Sequence, residues 1–478
     1  LNFIISLIEA VYRFLWGNLV TIPLPGGSEL GLPLLVLILI PTGIFYTVRT
    51  RVLPVRMGRE ILKVSLDPKK EEKGAISGLQ SLIVSTATRV GMGNLAGVVA
   101  AISAGGAGAV FWMWVTAIIG QSTAFAEGVL AQQHKQKDPL YGGYRGGPAY
   151  YIHDFMEQHV YRKKRRRSII AVLFAISGLI CWCGISQVIS NSVSSAFHRA
   201  FQIPPLYTTI ALVIIAAVIV LRKNATVRVL DIMVPVMAGM YFLITIVLVL
   251  MNIQALPSVF ARIFTEAFGF RQVAAGGFGT VMMNGVKRGL FSNEAGSGSA
   301  PCAAAAAASD HPVKIGLTQA FGVFIDTIVI CSCTAFIILI TPASETAGTE
   351  GMDLLQAAMH YHMGEFGVIF VAVVLWLFSF STFLGILFYA RPNVAYLFGD
   401  RWLPQYLYKI LALIMLFIGG LAAYTTVWDL GDVGIGLMTI FNVIALWPMS
   451  GDVIRALKDY ESAHGKKKRA KTAEQKES

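Results

Sequence analysis

Long apolar runs broken by short polar blocks set the rhythm of this chain. Four of them, Leu34–Val48, Ile169–Ile185, Ala211–Leu221 and Leu411–Ala423, approach the roughly 20 apolar residues with which a helix crosses a bilayer. After a short amphipathic segment near residues 4–20, the pattern predicts a first span over about 31–49. Ten more follow, at about 76–104, 109–132, 168–196, 206–222, 228–252, 271–292, 314–341, 366–390, 405–426 and 434–456. The longest polar stretch, near 133–167, is a loop, and no soluble domain is predicted.

Two spans interrupt their own helical pattern. Residues 76–104 carry Gly91-Met92-Gly93-Asn94, then Gly97 and Gly105-Gly106. Residues 271–292 carry Gly276-Gly277-Phe278-Gly279, then Gly285 and Gly289. Each interior glycine costs a helix about 1 kcal/mol relative to alanine. Such glycines serve either close helix packing of the Gly-x-x-x-Gly kind or a break. The matched pair, five spans apart and each first in a set of five, favours breaks. Corresponding interruptions in two halves mark a transporter's substrate site, with half-helix termini turned to the substrate and freed carbonyls to cations.

Composition narrows the class. The 478 residues are 55% hydrophobic and 14% charged, against about 25% charged in soluble domains, so the chain belongs in a membrane. Its net charge of +12 does not make it a nucleic-acid binder. The cations fall in blocks between apolar runs, from Arg49 to Lys73, Lys135 to Arg167, Arg222 to Arg228, Lys287 to Lys314 and Lys466 to Lys476, whereas Thr341–Glu365 is acidic. This is the positive-inside pattern. It places the N-terminus outside and the C-terminus in the cytoplasm of a multi-pass protein of the inner (plasma) membrane. A nucleic-acid arm at Arg162–Arg167 is the weaker alternative. The first residues lack the basic region and cleavage site of a cleaved leader. The five cysteines, two pairs of them spaced C-x-C inside apolar segments, lack zinc-like spacing and read as small packing residues.

Charged residues inside spans are functional candidates by default. Arg89 precedes the first break, Glu127 lies in the second core span and Asp326 in the seventh. Glu127 suits a scaffold role, accepting hydrogen bonds from N–H groups freed by broken helices. Asp326 stands between a structural partner of Arg89 and a member of an ion pathway. In the eighth core span, Ser379, Ser381 and Thr382 offer three hydroxyls amid aromatic residues. Hard cations prefer oxygen ligands, so these can join loose carbonyls of the broken span around Na⁺. Bonding back to the i−4 carbonyl is the plainer use of such hydroxyls.

These residues resemble the alanine/glycine:cation symporters of the amino-acid/polyamine/organocation superfamily. The most specific match is Arg288 with Gly289-Leu-Phe-Ser-Asn-Glu-Ala-Gly-Ser-Gly-Ser-Ala-Pro301; Phe125-Ala-Glu127, Gly146-Gly-Pro-Ala-Tyr-Tyr-Ile152, Phe324-Ile-Asp-Thr327 and Phe380-Ser-Thr382 support it. The likeness covers nearly all of residues 30–455. It implies an all-α, LeuT-type 5+5 inverted repeat with discontinuous first and sixth core helices and one extra N-terminal span. The parts are an N-terminal region (1–75), two five-helix repeats (76–253 and 254–457) and a basic tail (458–478). It implies a Na⁺- or H⁺-driven symporter of alanine, glycine or a similar neutral amino acid, with no cofactor beyond the coupling ion.

The same resemblance assigns roles by position. The substrate carboxylate meets the backbone at Gly91 and Gly93, near Met92 and Asn94. Gly277, Thr280 and Asn284 form the opposite face, and Gln187, Ile189 and Asn191 contribute from the third core span. One Na⁺ takes the hydroxyls of Ser381 and Thr382 and the carbonyls of Ala87, Val90 and Phe378. The chain departs from the family at Met92, where threonine is usual, at Ile189, where glutamine is usual, and in Gly385-Ile-Leu-Phe-Tyr-Ala-Arg391. A drier pocket is expected. An enzyme would need a nucleophile–base set or paired metal-ligating histidines, and a channel a filter or a repeat of arginines. None of these patterns appears. A non-transporting amino-acid sensor on the same fold stays open, as does H⁺ coupling.

Overall fold

Each expected apolar span has a helical counterpart in a computed structural model, which describes residues 2–23, 29–66, 82, 86, 89–222, 226–268, 277–307 and 309–477. The amphipathic α1 (Asn2–Trp16) leads into a hairpin, β1 (Asn18–Pro23) against β2 (Glu29–Pro33), and then α2 (Leu34–Arg49). Two short helices, α3 (Leu53–Arg56) and α4 (Gly58–Ser65), follow. After the first break come α5 (Ala96–Gly105) and the long α6 (Gly108–Gln133). A small ribbon, β3 (Gln136–Lys137) with β4 (Tyr144–Arg145), precedes α7 (Pro148–Phe155). The central α8 (Ile169–Phe201), then α9 (Pro205–Val220), α10 (Thr226–Met251) and α11 (Leu256–Ala267) complete the first half.

The second half opens on α12 (Gly277–Asn293) and α13 (Pro301–Ala304). The next span joins α14 (Pro312–Val323), a π-helical stretch Phe324–Cys331 and α15 (Ser332–Ile340). There follow α16 (Met352–Met363), α17 (Glu365–Phe398), α18 (Trp402–Leu421), α19 (Tyr424–Leu446) and α20 (Ser450–Glu477). Among the described residues, six helices are long and apolar enough to cross a bilayer alone, and a seventh span forms if the pair bent by 78° at Asn252 is counted as one. Three more expected spans correspond to the shorter apolar helices Leu34–Arg49, Met92–Gly105 and Pro205–Val220, and the span expected at 271–292 corresponds to α12.

Backbone contact through small residues holds the core together. A side chain at Gly184 of α8 would stand 2.3 Å from the Gly431 nitrogen of α19, and one at Gly434 would stand 2.4 Å from Cys181 Cα. Gly285 and Gly289 do the same for α12 against Ala109 and Thr116 of α6. These two are therefore packing glycines. All five cysteines are buried and unbridged.

Three expectations need correction. The last span is not 434–456 but 424–446, and Pro448 follows its end. Asp432, inside this helix, is buried under paired cations. The acidic loop 341–365 contains α16, which buries Leu354, Leu355, Ala358 and Met359. The second broken span is intact from Gly277 to Asn293, and its break comes after that helix.

Candidate substrate and ion site

The first break is short and self-capped. Gly91 leaves the helix in extended conformation (φ −144°, ψ −154°), and Met92–Asn94 make one 3₁₀ turn. The Gly91 N–H donates to Asn94 Oδ1 at 2.8 Å, and the Asn94 N–H returns to the Gly91 carbonyl at 3.2 Å. The Met92 N–H donates to Thr382 Oγ1 of α17 at 3.1 Å. The amide of Gly91, expected to meet the substrate carboxylate, is thus already engaged within the turn. A Cβ on Gly93 would lie 3.4 Å from the Phe291 ring and 3.5 Å from Ser292 Cα. The break therefore packs directly on the end of α12.

That end is the second break. Glu294, Gly296 and Gly298 take positive φ (57°, 89° and 85°) before Pro301 starts α13. Two of these are glycines, which adopt that region without strain. The stranded amides are met by Glu127 of α6. Its Oε2 accepts from Gly296 N at 2.9 Å and its Oε1 from Gly298 N at 3.0 Å. Asn442 of α19 donates to Glu127 Oε1 at 2.6 Å and to the Gly296 carbonyl at 3.0 Å, and Tyr151 of α7 donates to Asn442 Oδ1. Gly277, Thr280 and Asn284, expected at this break, stand about 15–26 Å from Glu294 along the intact helix at about 1.5 Å per residue. Asn284 spends its amide on the Thr280 carbonyl at 2.9 Å.

Between the breaks lies a polar knot. Asn94 Nδ2 donates to Asp326 Oδ1 at 2.7 Å and to Cys331 Sγ at 3.2 Å. Ser292 and Thr327 donate to Asp326 Oδ2 at 2.8 and 2.7 Å. Asp326 and Cys331 are five apart, the repeat of the π-helix they belong to, so widening that helix turns both towards Asn94. Arg89 does not pair with Asp326 or Glu127. Its Nη1 donates to the Gln319 carbonyl at 3.0 Å, in space left by Gly322, whose Cβ would sit 2.6 Å from Nη1. It acts on Glu127, Glu294 and Asp326 at longer range.

The expected ion ligands gather in part. Ser381 Oγ and Thr382 Oγ1 both point at the Phe378 carbonyl, at 2.8 and 2.9 Å. These are the local back-bonds such hydroxyls make within a helix. Val90 is fully buried. Ala87 lies outside the described residues. Ser379 is buried, and among the described residues its hydroxyl has no hydrogen-bond partner.

Beyond the breaks, a cavity of about 710 Å³ is walled by α5, α12, the loop before α16 and the start of α19. At its floor Arg288 forks onto both oxygens of Asp432 at 3.1 and 3.0 Å. Lys287 reaches Asp432 at 3.0 Å and donates to the Tyr12 hydroxyl of α1 at 2.7 Å. The Arg288 guanidinium lies 4.0 Å over Trp428, whose ring meets Phe291 edge-on at 5.0 Å. Lys287 and Arg288, counted above with the cytoplasmic cations, line the same cavity as Glu350 of the acidic loop.

Comparison with known proteins fits this arrangement. The sodium:alanine symporter family matches the chain over residues 27–476. The chain belongs to that family. A probable sodium/glutamine symporter of Bacillus subtilis is 42% identical over 432 residues, 89% of this chain and 87% of that protein. The sodium/alanine symporter of Methanococcus maripaludis is 35% identical over 475 residues, 98% of this chain and 99% of that one. A crystal structure of a mutant of the Eremococcus coleocola manganese transporter shares the LeuT-type fold at 12% identity, with a TM-score of 0.51 and 81% of each chain covered. The protein is an amino-acid symporter, not an enzyme, and an integral multi-pass membrane protein.

Within the symporter, the third core span differs from expectation. Gln187 donates to Met415 Sδ at 3.3 Å, and Asn191 to the Gly419 and Ala422 carbonyls at 3.3 and 2.8 Å. Both carboxamides hold α18 rather than facing the breaks, while Ile189 is fully buried. Two features were missed. Glu294, buried and bonded by the Tyr389 hydroxyl at 3.1 Å, sits within the quoted family run. Asp432, the anchor for Lys287 and Arg288, is an acidic residue in an apolar stretch and was detectable on that ground alone.

Proposed function

We propose that the symporter couples inward movement of a small neutral amino acid, alanine- or glycine-like, to Na⁺ by alternating access. The observation carrying this reading is the junction of the first break with α17. There the Phe378 carbonyl and the Ser381 and Thr382 hydroxyls converge beside the Met92 amide. A neutral oxygen set of this kind suits a monovalent hard cation, because no carboxylate raises its affinity or slows its release. Na⁺ entering would turn both hydroxyl protons away from the carbonyl and tie α17 to the break. The substrate carboxylate would then take the turn at Gly91–Asn94, and Met92 and Ile189 would line a dry side-chain pocket. The related sodium/alanine and sodium/glutamine symporters support the ion and the neutral substrate class.

Uptake into proteoliposomes tests this. With an inward Na⁺ gradient and no proton gradient, labelled alanine or glycine accumulates against its own gradient. Accumulation driven by protons alone would transfer the coupling role to Asp326. Substrate binding without any counterflow would mark a sensor.

A further inference from the structure

An apolar groove of about 580 Å³ runs between α8, α17 and α18, and none of its lining residues belongs to either break. Ile176, Leu179, Ile180, Leu397, Leu407 and Leu411 give it a hydrocarbon lining. Its polar atoms are satisfied among themselves. The Tyr408 hydroxyl donates to the Leu179 carbonyl at 2.9 Å, and the neighbouring Lys409 ammonium is held by the Val220 carbonyl at 2.9 Å. Nothing inside the groove therefore selects a charged group. Burial of hydrocarbon also gives little preference where the alternative is a lipid tail. Any selectivity must come from its rim.

Cations flank one end of the groove along the chain. Arg162-Lys163-Lys164-Arg165-Arg166-Arg167 leads directly into α8, and all six side chains are exposed. The Ser168 amide donates to the Tyr396 hydroxyl at 3.0 Å, which pins the end of this run to α17 within one turn of Val394, Leu397 and Phe398. Arg401, exposed, stands at the head of α18, three residues before Pro404 of the groove. Among the described residues, Arg166, Arg167 and Arg401 have no acidic partner, whereas the nearby Asp400 is taken by Arg145. Unpaired cations beside an apolar groove at the membrane surface match an anionic lipid: phosphate at the rim, acyl chain between the helices.

We propose that this groove is a binding site for an anionic phospholipid of the leaflet that faces the basic loops. The charge complementarity of Arg166, Arg167 and Arg401 with the phosphate selects the headgroup, and the α8–α17–α18 groove holds one acyl chain. The site shares no residue with the transport junction.

Native mass spectrometry of the purified full chain, offered equal dioleoyl-phosphatidylglycerol and dioleoyl-phosphatidylcholine, tests the proposal. One phosphatidylglycerol should be retained at least tenfold more strongly than phosphatidylcholine. Arg166→Gln/Arg167→Gln/Arg401→Gln should erase that preference; these side chains are exposed, so the fold survives. Leu411→Trp, which fills the groove with the charges intact, should weaken phosphatidylglycerol retention too. Neutralising Arg51 and Arg59, exposed cations away from the groove, should change nothing. Equal retention of the two lipids overturns the proposal. So does a triple variant that keeps the preference, or an Arg51/Arg59 control that loses it. A stable dimer of delipidated protein that Leu411→Trp dissociates would overturn it by assigning the groove to a second copy instead.

Discussion

The two breaks in the symporter are held in different ways. At Gly91–Asn94 the freed groups meet neutral partners: a carboxamide from the same turn and a threonine hydroxyl from α17. At Glu294–Ala300 they meet a buried carboxylate, itself fixed by Asn442, which Tyr151 holds in turn. Neutral hydrogen bonds are worth about 0.5–1.5 kcal/mol net, and those to charged groups about 1.5–3. A ligand or cation can therefore displace the first set at modest cost, whereas the second resists exchange. On the proposed function, the first break is the site and the second a fixed support. Asn94, bonded to both Asp326 and Ser292, ties the first break to the end of α12 and to the π-helical stretch.

The largest effect should come from attacking the support. Glu127→Ala strands the Gly296 and Gly298 amides in the protein interior, at about 1–3 kcal/mol each. Purified protein should unfold well below wild type in a thermal scan, or fail to accumulate. A wild-type melting curve for Glu127→Ala would mean that the carboxylate is not what holds the break.

At the site, Gly93→Val comes next. A Cβ there makes ordinary contact with Phe291 at 3.4 Å, so Gly93→Ala should fold and retain binding. The branched side chain of valine should abolish binding while the protein stays folded. Tight substrate binding by a monodisperse Gly93→Val protein would move the carboxylate site elsewhere.

Thr382→Ala removes one proposed ion ligand and the partner of the Met92 amide. The Na⁺ needed for half-maximal uptake should rise roughly ten- to hundredfold, from about 1.5–3 kcal/mol for a bond to a charged group. Ser379→Ala, which loses no bond, should leave it within a factor of about two. Similar shifts in the two variants would dissolve the contrast on which the ion site rests.

The smallest effect concerns selectivity. Met92→Thr with Ile189→Gln makes the pocket more polar and should move preference towards glycine and alanine by a few-fold in competition assays. An unchanged ranking would put both side chains outside the pocket.

Legibility in the sequence followed the same divide. The spans, the first break and the hydroxyls of α17 could be read because length, glycine and hydroxyl density are local signals. Glycines also cluster at Gly276–Gly279, and spacing alone does not separate a packing glycine from one at positive φ. Gly285 and Gly289 turned out to lie against α6, while the serine–glycine alternation before Pro301 marked the true break. The resemblance places Gln187 and Asn191 at the substrate by position, and position along a helix does not say which neighbour a face meets; here both bond α18. Lys287, Arg288 and Asp432 make sense only once α12 and α19 are side by side.

The most direct test of the account is reciprocal linkage at the first break. Equilibrium binding of labelled alanine is measured across a series of Na⁺ concentrations, and Na⁺ binding across a series of alanine concentrations, in detergent without any gradient. If ion and substrate share the Gly91–Asn94 junction, each tightens the other by the same factor, and Thr382→Ala removes that factor from both titrations. Alanine affinity that is the same with and without Na⁺ in the wild-type protein would contradict the account.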